Sequence, residues 1–242
     1  MNFMKLRGQT ISAVYAVTQC LLIHVAEAAV TPDRTRIIFD GGQSALSLAV
    51  INDDRSEPAL AQAWLEDEKG TRSGLPLAVV PPVQRLEAGA RSLIRLNALP
   101  GTSALPSDRE SLFYFNIRGI PPRSDKPNVL QVAVQTRIKL FYRPQALMVK
   151  SGSPGMNKLT LTRTPDGYLL DNPTPYYVTI IDLKAEGSGS TDMAPRTVAP
   201  GNQARLASPF LPVPVLTYID DYGARPELTF SCQGSRCYVK QS

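Results

Sequence analysis

Histidine is almost missing from this chain of 242 residues: the one present, His24, lies close to the N-terminus. Cysteine is nearly as scarce, occurring as Cys20, Cys232 and Cys237. No apolar run reaches the ~20 residues a membrane-spanning helix requires, so no stable membrane insertion is expected. Charge is sparse too. The net value is +5 and the basic residues are scattered, whereas nucleic-acid binding usually shows a concentrated basic face; no nucleic-acid partner is expected. The glycines form neither a G-x-S-x-G turn nor a phosphate-binding loop.

The first residues explain part of this scarcity. Lys5 and Arg7 precede an apolar stretch from Ile11 to Val25, followed by Ala26-Glu27-Ala28. A basic start, a short apolar middle and a small-residue cleavage site are the parts of a secretory signal peptide. Residues 1–28 are therefore expected to be removed. His24 and Cys20 leave with them, and the net charge falls to +4 as Lys5, Arg7 and Glu27 go. Gln19 before Cys20 is not the small residue a lipid-anchor site wants. Without histidine, Ser-His-Asp and Cys-His catalysis are excluded, and no enzyme is expected. A pair of acids acting without histidine, as in glycosidases, is not excluded by sequence. Cys232 and Cys237 remain, and in an exported chain such a pair is most simply a disulfide. Four intervening residues do not fit a redox C-x-x-C, and two cysteines alone do not make a zinc site.

What is present reads as β-structure throughout. Apolar residues alternate at Leu46, Leu48 and Val50, around Trp64, at Leu93 and Leu96, and at Phe113, Phe115 and Ile117. Turn chemistry separates these runs at Asp40-Gly41-Gly42, Asn52-Asp53-Asp54, Lys69-Gly70, Ala88-Gly89 and Pro121-Pro122. Ser151-Gly152-Ser153-Pro154-Gly155 reads as a linker, after which strands resume at Leu159–Thr162, Tyr177–Ile181, Tyr218-Ile219 and Leu228–Phe230. Short strands at this spacing predict an all-β fold of two immunoglobulin-like β-sandwich domains, residues 29–146 and 147–242.

One segment stands out. Asn128 to Tyr142 reads as a single strand, far longer than the usual five or six residues. One parity carries Leu130, Val132, Val134, Thr136, Ile138 and Leu140; the other carries Gln131, Gln135, Arg137 and Lys139. It fits a core strand with one wet face, and equally a strand whose first half offers apolar side chains to a partner. Periodicity does not choose.

Asp33-Arg34-Thr35-Arg36-Ile37-Ile38-Phe39-Asp40, Glu110–Arg118, Ile120-Pro121-Pro122, Arg137–Pro144 and Tyr222-Gly223-Ala224-Arg225-Pro226 closely resemble the PapD-like chaperones of the chaperone–usher pathway. The resemblance covers the chain after residue 28. It implies an L-shaped pair of domains in the periplasm that binds, helps fold and caps pilus subunits by donor-strand complementation, one of the known forms of strand addition. Delivery to an outer-membrane usher follows, with no cofactor and no metal. By the same resemblance Leu130, Val132 and Val134 are the donated side chains. Arg36 and Lys139 hold the subunit's C-terminal carboxylate, and Glu110, Arg143 and Asp221 form an inter-domain ion network. The short region between Pro122 and Asn128 resembles the branch with a short F1–G1 loop. An exposed apolar strand would also give the free protein a surface for self-association, which the sequence leaves open. A secreted immunoglobulin-like adhesion module is the alternative. It would bind through loops and leave Leu130–Val134 idle. Lys139 and Val134 have opposite parity; a bulge or strong twist between them would reconcile their roles, and the sequence shows neither.

Overall fold

The structure is a computed structural model, which describes residues 30–125, 128, 130–149 and 155–240. The expected signal segment, residues 1–28, lies outside the described residues, as does most of the expected linker.

Alternating apolar residues build the first sandwich. Its strands are β1 (Val30–Pro32), β2 (Arg36–Asp40), β3 (Ala45–Asn52), β4 (Ala59–Glu66), β5 (Leu77–Val80), β6 (Val83–Leu86), β7 (Arg91–Ala98), β8 (Ser111–Ile120) and β9 (Val134–Arg143). They form two sheets, β1-β3-β7-β5 and β2-β9-β8-β4-β6. Each sheet turns one parity inward, and Phe39, Leu48, Ile94, Leu96, Phe115, Ile117 and Leu140 are fully buried between them. Burying one such side chain is worth about 1.5–3 kcal/mol, which is why the inward parity is mostly apolar.

The second sandwich comprises β10 (Thr160–Thr164), β11 (Gly167–Asp171), β12 (Val178–Ala185), β13 (Arg196–Val198), β14 (Gln203–Ala207), β15 (Pro214–Ile219), β16 (Glu227–Gln233) and β17 (Arg236–Val239). Its strands are hydrogen-bonded in the order β13-β12-β15-β16-β17-β10-β11-β14. β16 passes from one layer to the other: Glu227–Thr229 pairs with β15, while Phe230–Gln233 pairs with β17. Strands that switch layers in this way make the corners of sandwiches. A second core forms around Leu159, Leu161, Tyr168, Ile180, Leu216 and Phe230. Cys232 and Cys237 face each other across the β16–β17 hairpin and are joined by a disulfide.

One expectation about the long strand is corrected. The strand begins at Val134, not Asn128, and residues 130–133 pair with no described strand, though the Gln131 side chain accepts from the Ser124 N–H and donates to the Pro122 carbonyl. Pairing stops because the partner stops. β8 supplies Gly119 opposite Val134 and ends one residue later, where Pro121 and Pro122, having no N–H to donate, cannot extend the ladder. No bulge separates Val134 from Lys139 along β9. The β8–β9 register runs unbroken from Ser111 opposite Tyr142 to Gly119 opposite Val134, so Val134 and Lys139 do lie on opposite faces.

Candidate functional site

β2 and β9 run parallel, with Arg36 directly opposite Lys139. Because side chains alternate along a strand, one face of this pair carries Arg36, Ile38, Lys139, Phe141 and Arg143. The other carries the buried Ile37, Phe39, Ile138 and Leu140. Arg36 is only 9% exposed, yet its Nε has no partner, and its Nη1 donates to the Ile219 carbonyl of the second sandwich at 3.0 Å. Burial lowers the pKa of the Arg36 guanidinium, partly offset by Asp221, Asp220 and Glu110. Lys139 is half-buried with no ion pair or hydrogen bond among the described residues. Burial, then repulsion from Arg36 and Arg137, lowers its pKa as well. Two cations thus stand side by side on one face, and Lys139 has no acid paired with it among the described residues, an arrangement that can attract an anion.

The joint between the sandwiches lies next to this pair. Arg143 Nε donates to Glu110 Oε1 at 2.8 Å, and its Nη1 and Nη2 donate to the two oxygens of Asp221 at 2.7 and 2.9 Å. Glu110 and Arg143 are each 3% exposed. Burial opposes the Arg143 charge, but the hydrogen bonds and charges of Asp221 and Glu110 outweigh it and its pKa is raised. For Glu110, burial pushes the carboxyl up against the pull of Arg143 and of the Tyr177 N–H. That N–H donates to Glu110 Oε2 at 2.7 Å. Glu110, Arg143 and Asp221, named from resemblance, are thus in direct contact across the two sandwiches.

The remaining candidates sit apart from these cations. Leu130 is 86% and Val132 58% exposed, and Val134 is half-buried at the start of β9. In the sequence they share the parity of Ile138 and Leu140, although β9 itself begins only at Val134. On its β2 side, β9 is covered only from Lys139 to Arg143. Opposite residues 134–138 no described strand pairs, and Arg36 stands where β2 takes over.

Some residues of the joint carry no mark in the sequence. Tyr177 packs against Phe141 with the rings tilted by 35° and their centroids 5.6 Å apart, and its hydroxyl donates to Glu68 Oε1 at 2.6 Å. Arg143 lies over the Tyr176 ring at 5.0 Å. Neither tyrosine has a spacing relation to the residues it meets, and only the tertiary fold joins them.

Comparison with known proteins bears on all of this. The family of pili and flagellar-assembly chaperones, PapD N-terminal domain, matches residues 29–148; the C-terminal domain of the pili assembly chaperone PapD matches residues 154–230. The chain is 47% identical over 230 residues to the chaperone protein PapD of Escherichia coli, covering 93% of this chain and 96% of that one. To the chaperone protein PmfD of Proteus mirabilis it is 40% identical over 227 residues, covering 90% and 89%. Among solved structures it is similar to the SafB chaperone of Salmonella enterica in complex with the SafA pilin, at TM-score 0.73, 26% identity, and coverage of 86% and 98%. Two matched domains in the expected order, spread over nearly the whole chain, leave one assignment: this chain belongs to the PapD-like pilus-assembly chaperones.

Proposed function

We propose that this protein is a periplasmic chaperone that binds, helps fold and caps pilus subunits by lending them a strand, then delivers them to an outer-membrane usher. Residues 1–28 act as its export signal, residues 29–146 form the donor domain and residues 147–242 the second domain, with the short-loop branch as its place in the family. It works by binding and not by catalysis.

The observation that carries this reading is the pair Leu130 and Val132, exposed on a segment that continues the sequence parity of β9 with no described strand paired to it. An incomplete sandwich exposes unpaired backbone groups and an apolar groove, both aggregation hazards. A strand laid into that groove satisfies the ladder and fills a pocket at every second residue. A subunit strand running parallel to β9 along its uncovered edge ends its chain where β2 begins. Its C-terminal carboxylate then meets Arg36 and Lys139, and each charge-assisted bond contributes on the order of 1.5–3 kcal/mol. The anchor fixes register, since a slip of one residue turns every donated side chain away from its pocket. No bulge is needed: the cations act on the outer face while the donated side chains lie in the plane of the core.

The reading is tested by purifying the tagged protein from periplasm and identifying co-eluting chains by mass spectrometry. Pilus subunits lost from the Arg36→Ala and Lys139→Ala proteins support it. Subunits retained at wild-type levels by both variants contradict the anchor.

A further inference from the structure

Beside Arg36, on the cleft side of β2, lies an open cavity of 360 Å³. Thr35, Arg36 and Ile38 come from the first sandwich, Met148 and Val149 from the segment after β9, and Tyr222 from a turn of the second sandwich. The volume is at the lower end for sites that take a specific group. Its acids are already engaged: Asp33 accepts from Arg34 at 2.8 Å, and Asp221 is held by Arg143. Arg34 and Arg143, the partners of those acids, line the cavity too. Beside these paired charges the wall is apolar at Ile38, Met148 and Val149, with Tyr222 76% exposed at the lip. Arg36 stands at one side, and Lys139 lies opposite it on β9.

We infer that this cavity seats the side chain of the subunit's final residue and selects for an apolar or aromatic residue there. The inference rests on the proposal that Arg36 and Lys139 hold a C-terminal carboxylate. If they do, the terminal residue is fixed next to the cavity. When its side chain shares the outer face with Arg36 and Lys139, it turns toward Ile38 and Met148. Charge complementarity names the occupant: with Asp33 paired to Arg34 and Asp221 to Arg143, the groups left to a ligand are the apolar Ile38, Met148, Val149 and Tyr222 and the cation Arg36, which suits an apolar side chain beside a free carboxylate. A basic terminal residue would meet Arg36 and an acidic one would lose its water against methyl groups, so both are disfavoured.

The test uses the full mature protein and synthetic ten-residue peptides of alternating valine and threonine, ending in phenylalanine, leucine, glycine or lysine, each as free acid and as amide. Affinities are measured by isothermal titration calorimetry. The expected result is that the phenylalanine and leucine acids bind about tenfold or more tightly than the glycine acid, the range one apolar side chain in a pocket supplies. The Met148→Ala/Val149→Ala double variant, at two sites that are each 37% exposed, should remove most of that preference while the acid-over-amide preference persists. Equal affinity for phenylalanine and glycine acids overturns this inference and leaves the anchor intact. Acids and amides binding alike, or no acid binding at all, overturns the anchor and this inference together. A double variant that loses the glycine acid as severely as the phenylalanine acid also overturns it, since the surface would then be a general contact and not a terminal pocket.

Discussion

Lys139 carries its charge in surroundings that oppose it, half-buried and facing Arg36 across the β2–β9 pair. An ammonium with a lowered pKa loses its proton earlier as pH rises. If Lys139 holds a carboxylate, affinity should be constant at neutral pH and fall on the alkaline side, starting below the ~10.4 of an ordinary lysine. Lys139→Arg, which stays charged, should flatten that profile. Titrating capture of a free-acid peptide from pH 7 to 10.5 checks this, and superimposable profiles for the two proteins would remove Lys139 from the anchor. Arg143 gives a different residue-scale expectation. It is buried between two carboxylates, so Arg143→Ala strands Glu110 with no counter-ion and should cost on the order of 3–5 kcal/mol in denaturant unfolding. A loss near the 0–1 kcal/mol of surface pairs would mean that the joint is not held by this network.

At the scale of the element, β9 explains both what could be read from the sequence and what could not. The inward residues Ile138 and Leu140 were legible because a strand repeats every two residues. The same repeat runs through Leu130 and Val132, and alternation is identical whether a side chain meets its own core or a partner's. What decides is where β8 ends, and Pro121-Pro122 already carried that information in its missing donors. The β2–β9 pairing that puts Arg36 against Lys139 joins residues far apart in the chain, and only resemblance to a known family anticipated it. Tyr176 and Tyr177 escaped even that. Elsewhere the hairpin β16–β17 closes a very short loop through Cys232 and Cys237. Replacing both cysteines with serine should therefore cost about 2 kcal/mol on a chain-entropy account, measured by unfolding in urea. Gly167 pairs opposite Ala207 with φ at +141°, where an added Cβ would fall 2.2 Å from the Leu206 carbonyl oxygen. Gly167→Ala should thus destabilise the second sandwich by at least about 1–3 kcal/mol, visible as a lower urea midpoint.

At the scale of the whole molecule, the joint and the lent strand divide the work. Glu110, Arg143, Asp221 and Tyr177 link the sandwiches through buried, well-satisfied hydrogen bonds. That linkage holds the Ile219 carbonyl against Arg36 and keeps the cleft in one geometry. The segment of Leu130 and Val132 is the opposite case, exposed before the start of β9 and paired with no described strand. A binding module that used its loops would have no need of that segment. The account therefore stands or falls on whether Leu130 and Val132 serve this domain or another. The direct measurement is on the Leu130→Ala/Val132→Ala variant, which spares Val134 because it begins β9 and is half-buried. Urea unfolding of the free protein is read beside capture of co-expressed pilus subunits by the same preparation. The account predicts a stability loss well below the 2–5 kcal/mol that a single core leucine would cost, together with loss of subunit capture. A large loss of free-state stability with capture undiminished would contradict it and return the segment to an ordinary core strand.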